Sequence, residues 1–414
     1  MRYGLFALFF FLLLLPLSAK QIEVCGTCAY ASIGEAVRAA DPGDVILVHQ
    51  GVYREHGIEL NKSVHIKGQG MPVVDGEFKE SIFKVKAEDF SISGLEIINV
   101  GQSYTKDFAA ILISGSKRFR IEDNTLRKVF FGILVEKSEN GQIRNNRVSS
   151  DATSQASSGN GIHLWHCEDM IVEDNELWGL RDGIYFEFVE NSKVYANNSH
   201  KNLRYGLHFM FSNHNAYHDN VFMDNGAGVA IMFSKFIEMR SNHFLHNWGS
   251  ASYGLLLKEI YDAEIEGNRF EQNTIGISVD GSTRINYRGN SFLSNGWAVK
   301  IIGACYENLF TENDFLNNAL DLSYNSKINT NRFENNYWSE YTGYDLDRNG
   351  VGDIPYRPVK LFSYIVHNTP ETILLLRSMF VDIINFSEKV SPVFTPDNLI
   401  DPSPLMKRIH DTNN

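Results

Sequence analysis

Apolar residues in this chain come in short runs that alternate with polar ones, and the alternation restarts at a nearly constant interval. Its marker is an asparagine followed two residues later by a large apolar residue: Asn124/Leu126, Asn146/Val148, Asn175/Leu177, Asn220/Phe222, Asn242/Phe244, Asn268/Phe270, Asn290/Phe292, Asn313/Phe315 and Asn331/Phe333. Asn198 keeps the register with His200 in the apolar place, and an apolar residue such as Ile121, Tyr195, Tyr217 or Ile328 stands three before each Asn. Most steps are 22 or 23 residues. One unit of that size cannot bury its own apolar face, so the fixed period predicts a solenoid. Alternating runs bounded by Asn and Gly are strands, not helices. A leucine-rich array would repeat Leu at several places, whereas here Phe, Ile and Tyr recur with Asn at a corner. Asn tolerates the left-handed backbone of a bend, and stacked Asn side chains can bond along an axis. The expected fold is all-β, a right-handed parallel β-helix over residues 45–340, with Phe222, Phe244, Phe270 and Phe292 stacked inside. Roughly ten to thirteen rungs at about 4.8 Å make a rod of about 50–60 Å.

The ends follow a different grammar. Arg2, the run Leu5 to Pro16, and Ser18-Ala19 predict a signal peptide over residues 1–19, and hence export. Residues 20–44 predict an N-terminal cap, because Tyr30 to Ala40 has helical spacing and Asp41-Pro-Gly-Asp stops it. Residues 341–369 are irregular. In the segment 370–414, Glu371 to Phe386 predicts a helix that is apolar on more than one side, and a Pro-rich extended tail follows. That helix could seal the last rung or contact a second protein through Leu374, Leu375, Met379, Phe380, Ile383 and Phe386. Arg377 and Asp382 oppose its insertion into a membrane.

The strands that start at Gly161, Gly183, Gly206, Gly228 and Gly254 carry the candidate chemistry. The first and third residues after each Gly are apolar and point inward. The second and fourth therefore point outward: His163/Trp165, Tyr185/Glu187, His208/Met210, Ala230/Met232 and Leu256/Lys258. Thioether and imidazole suit Cu(I), which makes His208, Met210 and Met232 candidate ligands with Glu187 and His163 beside them. The same face also reads as an apolar patch covered by a loop or partner, or as a carbohydrate surface of Trp165, Tyr185 and Glu187. Two longer steps hold the inserts Ser149 to Ser158 and Trp248 to Ser252, which map to loops on one side.

A net charge of −12 argues against nucleic acid as a partner. Asp345, Asp347, Asn349 and Asp353, with Gly350, match part of a calcium loop, but Tyr356 stands where such a loop ends in Glu. An Asp/Asn/Gly turn without metal is the other reading. Cys25 and Cys28 are either a small disulfide or a metal or redox pair, while Cys167 and Cys305 read as buried thiols.

At this point the residues become specific. Gly159-Asn-Gly-Ile-His-Leu-Trp, Arg181-Asp-Gly-Ile-Tyr-Phe-Glu-Phe, Asn202-Leu-Arg-Tyr-Gly-Leu-His-Phe-Met-Phe-Ser, Asn225-Gly-Ala-Gly-Val-Ala-Ile-Met and Tyr253-Gly-Leu-Leu-Leu-Lys resemble the NosD family. So do Asn336-Tyr-Trp, Gly343-Tyr-Asp-Leu-Asp and Gly350-Val-Gly-Asp-Ile-Pro-Tyr. The resemblance implies a non-enzymatic, copper-binding periplasmic β-helix that serves maturation of nitrous oxide reductase. It implies work with an ABC-type permease and ATPase at the inner membrane, and copper received from a chaperone lipoprotein. It does not assign the metal ligands. A polysaccharide lyase or hydrolase and a structural surface protein remain as other classes; the first needs paired carboxylates in a cleft.

Overall fold

The computed structural model describes residues 19–409 apart from 104, 326–328, 377 and 391–398. Nearly all of the expected leader, Ile328, Arg377, Pro392 and Pro396 lie outside the described residues. The chain winds as a parallel β-helix in which each full rung gives one strand to each of three sheets. The first sheet has 14 strands, from Gln21–Val24 to Arg332–Glu334; the second has 12, from Ile58–Leu60 to Leu320–Tyr324; the third has 13, from Val52–Arg54 to Tyr337–Trp338. The rod is thus one rung longer than the period suggests, because Gln21–Val24 already pairs in register with Val45–Val48.

The interior is a set of stacked columns. Phe222, Phe244, Phe270, Phe292, Phe315 and Trp338 follow one another with ring centroids 5.5, 4.6, 5.1, 4.8 and 4.0 Å apart. Beside them runs an asparagine ladder in which Nδ2 and the backbone N–H of one residue donate to Oδ1 of the next: Asn146 to Asn175 at 3.0 Å for both bonds, then Asn175 to Asn197 and Asn197 to Asn220. The backbone amides of the ladder asparagines from Asn124 to Asn313 are thus satisfied from the next rung.

Four details differ from the sequence reading. The ladder residue of its rung is Asn197, not Asn198, and Ser199 fills the inward place, its hydroxyl donating to the Gly206 carbonyl at 2.7 Å. Val194, not Tyr195, faces the core. The ladder ends at Asn336, whereas Asn331 bonds Asn308 at another corner. The bend itself falls on the residue before each ladder Asn, with φ of 58° at Asp123, 54° at Asp174 and 55° at Asp219. Asn is there for its amide, and its neighbour supplies the left-handed turn.

At the near end the helix Ile33–Ala39 lays Ile33, Ala36 and Val37 on the first rung. Its free amides are met by the Glu55 carboxylate, which accepts from Ile33 N at 2.7 Å and Gly34 N at 2.8 Å. At the far end the expected single helix is two pieces, a 3-10 turn Pro370–Leu375 and a helix Met379–Val390, preceded by the helix Leu361–Asn368. Leu376 is extended (φ −53°, ψ 133°), and the carbonyl and hydroxyl of Ser378 start the next helix by accepting from Val381 N. These helices pack Phe362, Val366 and Val381 against Leu320 on the outer side of the second sheet. The tail, expected to stay extended and unpacked, instead buries Leu399 and Asp401 and pairs Leu405 with Tyr337 across the last rung.

Candidate functional site

The Gly-led strands form the second sheet, and the glycines are there because rungs approach closely. A Cβ on Gly183 would lie 2.6 Å from the carbonyl oxygen of Gly206 and 2.0 Å from the Ser199 hydroxyl. The inward residues Ile184/Phe186, Leu207/Phe209 and Val229/Ile231 have no exposure. Strand register sets two outward columns, His163–Tyr185–His208–Ala230–Leu256 and Trp165–Glu187–Met210–Met232–Lys258.

The first column is closed at His208 and Ala230 and half-exposed at His163, Tyr185 and Leu256. His208 is 5 % exposed, packed between the rings of Tyr185 (5.0 Å) and Tyr205 (4.9 Å). It belongs to a polar nest around Asp182, whose side chain is fully buried. Arg204 grips Asp182 with Nε at 2.8 Å from Oδ1 and Nη2 on Oδ2, and Tyr205 N donates to Oδ1 at 3.3 Å. His208 Nδ1 lies 3.4 Å from Arg204 Nη2 and 3.9 Å from Asp182 Oδ2, while its Nε2 is buried with no hydrogen-bond partner. Burial alone would push the Asp182 carboxyl up, but the hydrogen bond and charge of Arg204 outweigh it and hold it below its usual range.

The two sequence inserts end on this nest. Asn160, just after the first, accepts from Arg181 Nε at 3.2 Å and meets His163 Nδ1 at 3.3 Å. Tyr253, just after the second, donates to the Tyr205 hydroxyl at 3.4 Å. Burial, with the Arg181 charge behind it, pushes the His163 imidazole down to about 4. Burial and then Glu187 push the Tyr185 phenol up to about 12. His208 therefore lies inside the nest and the half-exposed His163 at its edge.

The second column stays half-exposed. Met210 and Met232 are directly paired on neighbouring rungs, with Glu187 the pair of Met210 on the other side and Lys258 the pair of Met232. Tyr185 donates to Glu187 Oε2 at 3.3 Å. Two thioethers one rung apart fit a soft, low-coordinate ion such as Cu(I). At the adjoining corner His166, Phe188, Phe211 and Phe233 stack at 4.6, 5.3 and 5.2 Å, and the three phenyl-bearing residues are about two-fifths exposed. Sequence alternation hides this row: as fifth residues after Gly they should point inward. The strand stops at the fourth residue, and a positive φ (55°, 49° and 53°) turns the rings outward.

The other expected sites resolve as follows. In the 345–353 loop, Asp345 accepts from the amides of Asn349 and Gly350, Asp347 from Asn349, and Asp353 from Leu346, so the acidic oxygens face the loop's own backbone. Cys25 and Cys28 are joined in a disulfide. Cys167 and Cys305 are buried free thiols. Leu374, Met379, Phe380, Ile383 and Phe386 are exposed by 88, 77, 57, 55 and 68 %, and Leu375 by 42 %. No helix among the described residues is long and apolar enough to cross a membrane.

A family model described as periplasmic copper-binding protein (NosD) matches residues 148–343. A Pseudomonas aeruginosa protein named "Probable ABC transporter binding protein NosD" is 26% identical over 367 residues, covering 84% of this chain and 85% of its own. Its namesake from Stutzerimonas stutzeri is 27% identical over 395 residues, covering 84% of each chain. Among solved structures, DFA-IIIase from Arthrobacter chlorophenolicus without its lid superposes with a TM-score of 0.61 at 15% identity, covering 76% of this chain and 99% of the other. The Azotobacter vinelandii mannuronan C-5 epimerase AlgE6 A-module gives 0.58 at 14% identity, covering 72% and 91%. At such identities the superpositions speak for the β-helix fold alone.

Proposed function

We propose that the chain is a NosD-type protein, a non-enzymatic periplasmic factor handling copper for maturation of nitrous oxide reductase. In this reading it docks as the periplasmic subunit of an ABC-transporter-type complex, with a permease and an ATPase, and takes copper from a chaperone lipoprotein. Copper is cargo here, held briefly as Cu(I).

The observation that carries the copper reading is the Met210–Met232 pair, two half-exposed thioethers on adjacent rungs with Glu187 beside them. The family's description as copper-binding agrees with it. His208 lies in the polar nest and His163 at its edge, where the guanidinium charges of Arg204 and Arg181 disfavour a bound cation. They become neighbours of the thioether pair in this reading and not its ligands. Docking is supported by the relatives' names and by the exposed apolar residues of the C-terminal helical segment.

Competition for Cu(I) with a chromogenic chelator tests the copper reading. Met210→Leu with Met232→Leu should weaken binding at least tenfold, whereas His208→Gln should leave it within a factor of two or so. Unchanged affinity in the double variant would remove the thioether pair from the reading.

A further inference from the structure

We propose that the nest around Asp182 is a docking point for one carboxylate, supplied by an aspartate or glutamate side chain of a protein partner. The proton count of the nest leads there. A guanidinium only donates, so where Arg204 Nη2 meets His208 at 3.4 Å the Nδ1 atom accepts and the ring proton sits on Nε2. That Nε2–H is buried with no acceptor. Tyr205 receives the Tyr253 proton on its hydroxyl, which leaves its own O–H free to donate. Arg181 gives Nε to Asn160 and reaches Asp182 only at 4.0 Å, so its terminal N–H groups have no acceptor within hydrogen-bond distance among the described residues.

Donors therefore outnumber acceptors, and two guanidiniums face one buried carboxylate. The nearby acids do not close the gap. Glu187 is engaged with Tyr185, and Asp107, whose charge reaches Arg181, forms no hydrogen bond with it. What would complete the nest is an anionic oxygen pair, which guanidinium binds in a two-pronged way that strengthens out of water. Arg181 and Arg204 side chains are each 29% exposed, so a group arriving from outside can reach them. Both inserts that interrupt the repeat end here, on Asn160 and Tyr253, and so frame this spot on the rod.

The charge of the whole chain selects the source. At −12 it repels a long polyanion such as a polyuronate, while a single acidic side chain on a folded partner meets only the local positive island. Loss of copper binding in the thioether variants would leave this site intact, because the two share no proposed ligand.

The test is NMR of the mature full-length protein labelled with 15N-histidine, with His208 assigned through His208→Gln. The probes are N-acetylglutamate amide, N-acetylglutamine amide and trigalacturonate. Free protein should show His208 protonated on Nε2. The glutamate probe should shift that signal saturably, the glutamine probe should not, and Arg181→Gln should weaken the effect about tenfold, the loss expected for one charge-assisted contact. Arg181→Lys, which keeps the charge and loses the fork, should fall between. The His163 signals report whether each variant keeps the nest folded. A proton on Nδ1, equal shifts with both amides, no shift with any probe, or undiminished binding in both Arg181 variants overturns the proposal. Tighter binding of trigalacturonate than of the glutamate probe overturns it in favour of a saccharide site.

Discussion

Asp401 completes the asparagine ladder that Asn336 would otherwise leave open. Its Oδ2 accepts from the backbone N–H and Nδ2 of Asn336, both at 3.1 Å, and from Trp338 Nε1 at 3.0 Å. A residue 65 positions further along thus takes the place of the next rung's Asn. Asp401→Ala leaves the Asn336 N–H and the Trp338 indole N–H without an acceptor, while Asn336 Nδ2 keeps the Phe310 carbonyl, and should cost about 2–4 kcal/mol. Asp401→Asn keeps an acceptor oxygen and should cost less. Hydrogen exchange at the Asn336 amide checks this locally, since solenoid ends can open on their own.

Phe244 and Phe211 are both stacked phenyl rings, but only Phe244 is buried. Phe244→Ala should lose about 3–5 kcal/mol through the cavity it opens. Phe211→Ala should stay within about 0.5 kcal/mol. Urea midpoints of the two variants give the comparison.

Two groups, the half-buried His163 and the buried Asp321, tilt stability with pH in opposite directions. The folded His163 titrates at about 4 because burial and Arg181 disfavour its charge, against an unfolded value of about 6.5. Between those values the unfolded chain binds the extra proton, so this group makes stability fall as pH drops from about 6.5 towards 4. His163→Gln should flatten that slope by on the order of 1–2 kcal/mol at pH ~5. Asp321 is raised to about 6, chiefly by burial. Here the folded chain holds the proton longer, and stability falls as pH rises from about 4 through about 6. Asp321→Asn should therefore stabilise above pH ~6 and do little near pH ~4.

The C-terminal helices suggest their own variants. Removing everything after 370 would also remove Leu399, Asp401 and Leu405, which close the last rung. Leu374→Asp and Phe380→Asp change only exposed positions. They should leave the melting temperature within a few degrees and abolish co-purification with the permease. Full recovery of the complex would discard the helical segment as its contact.

The repeat made the fold and the phenylalanine column legible, because a marker recurring every rung needs no tertiary knowledge. A second ladder, Asn202–Asn225–Asn247–Asn273–Asn295–Asn318, lies outside the Asn-x-apolar marker. Its signal was available: each member stands five residues after one of the first ladder. The outward columns were also legible by parity. The cover over His208 was not, since it comes from Arg204 and Tyr205 at the start of its own strand, Asp182 and Tyr185 on the neighbouring rung, and Tyr253 after the second insert. Strand parity says which way a side chain leaves the sheet, but not what lies above it.

Because the ladder joins each rung from Asn124 to Asn336 to the next through the same two bonds, length in this part of the molecule comes in whole units. The thioether pair and the exposed C-terminal helices are held apart by an integral number of turns, and no loop can give between them. Taking out one complete turn would slide one surface towards the other by about 4.8 Å and leave both chemically unchanged. Turns of 22, 23, 26 and 29 residues all carry the same ladder bond, so the loops absorb differences in residue number while the rise per turn stays fixed. The rod is in this sense a measuring stick, and any two partners that grip its separated surfaces are held at a distance counted in turns.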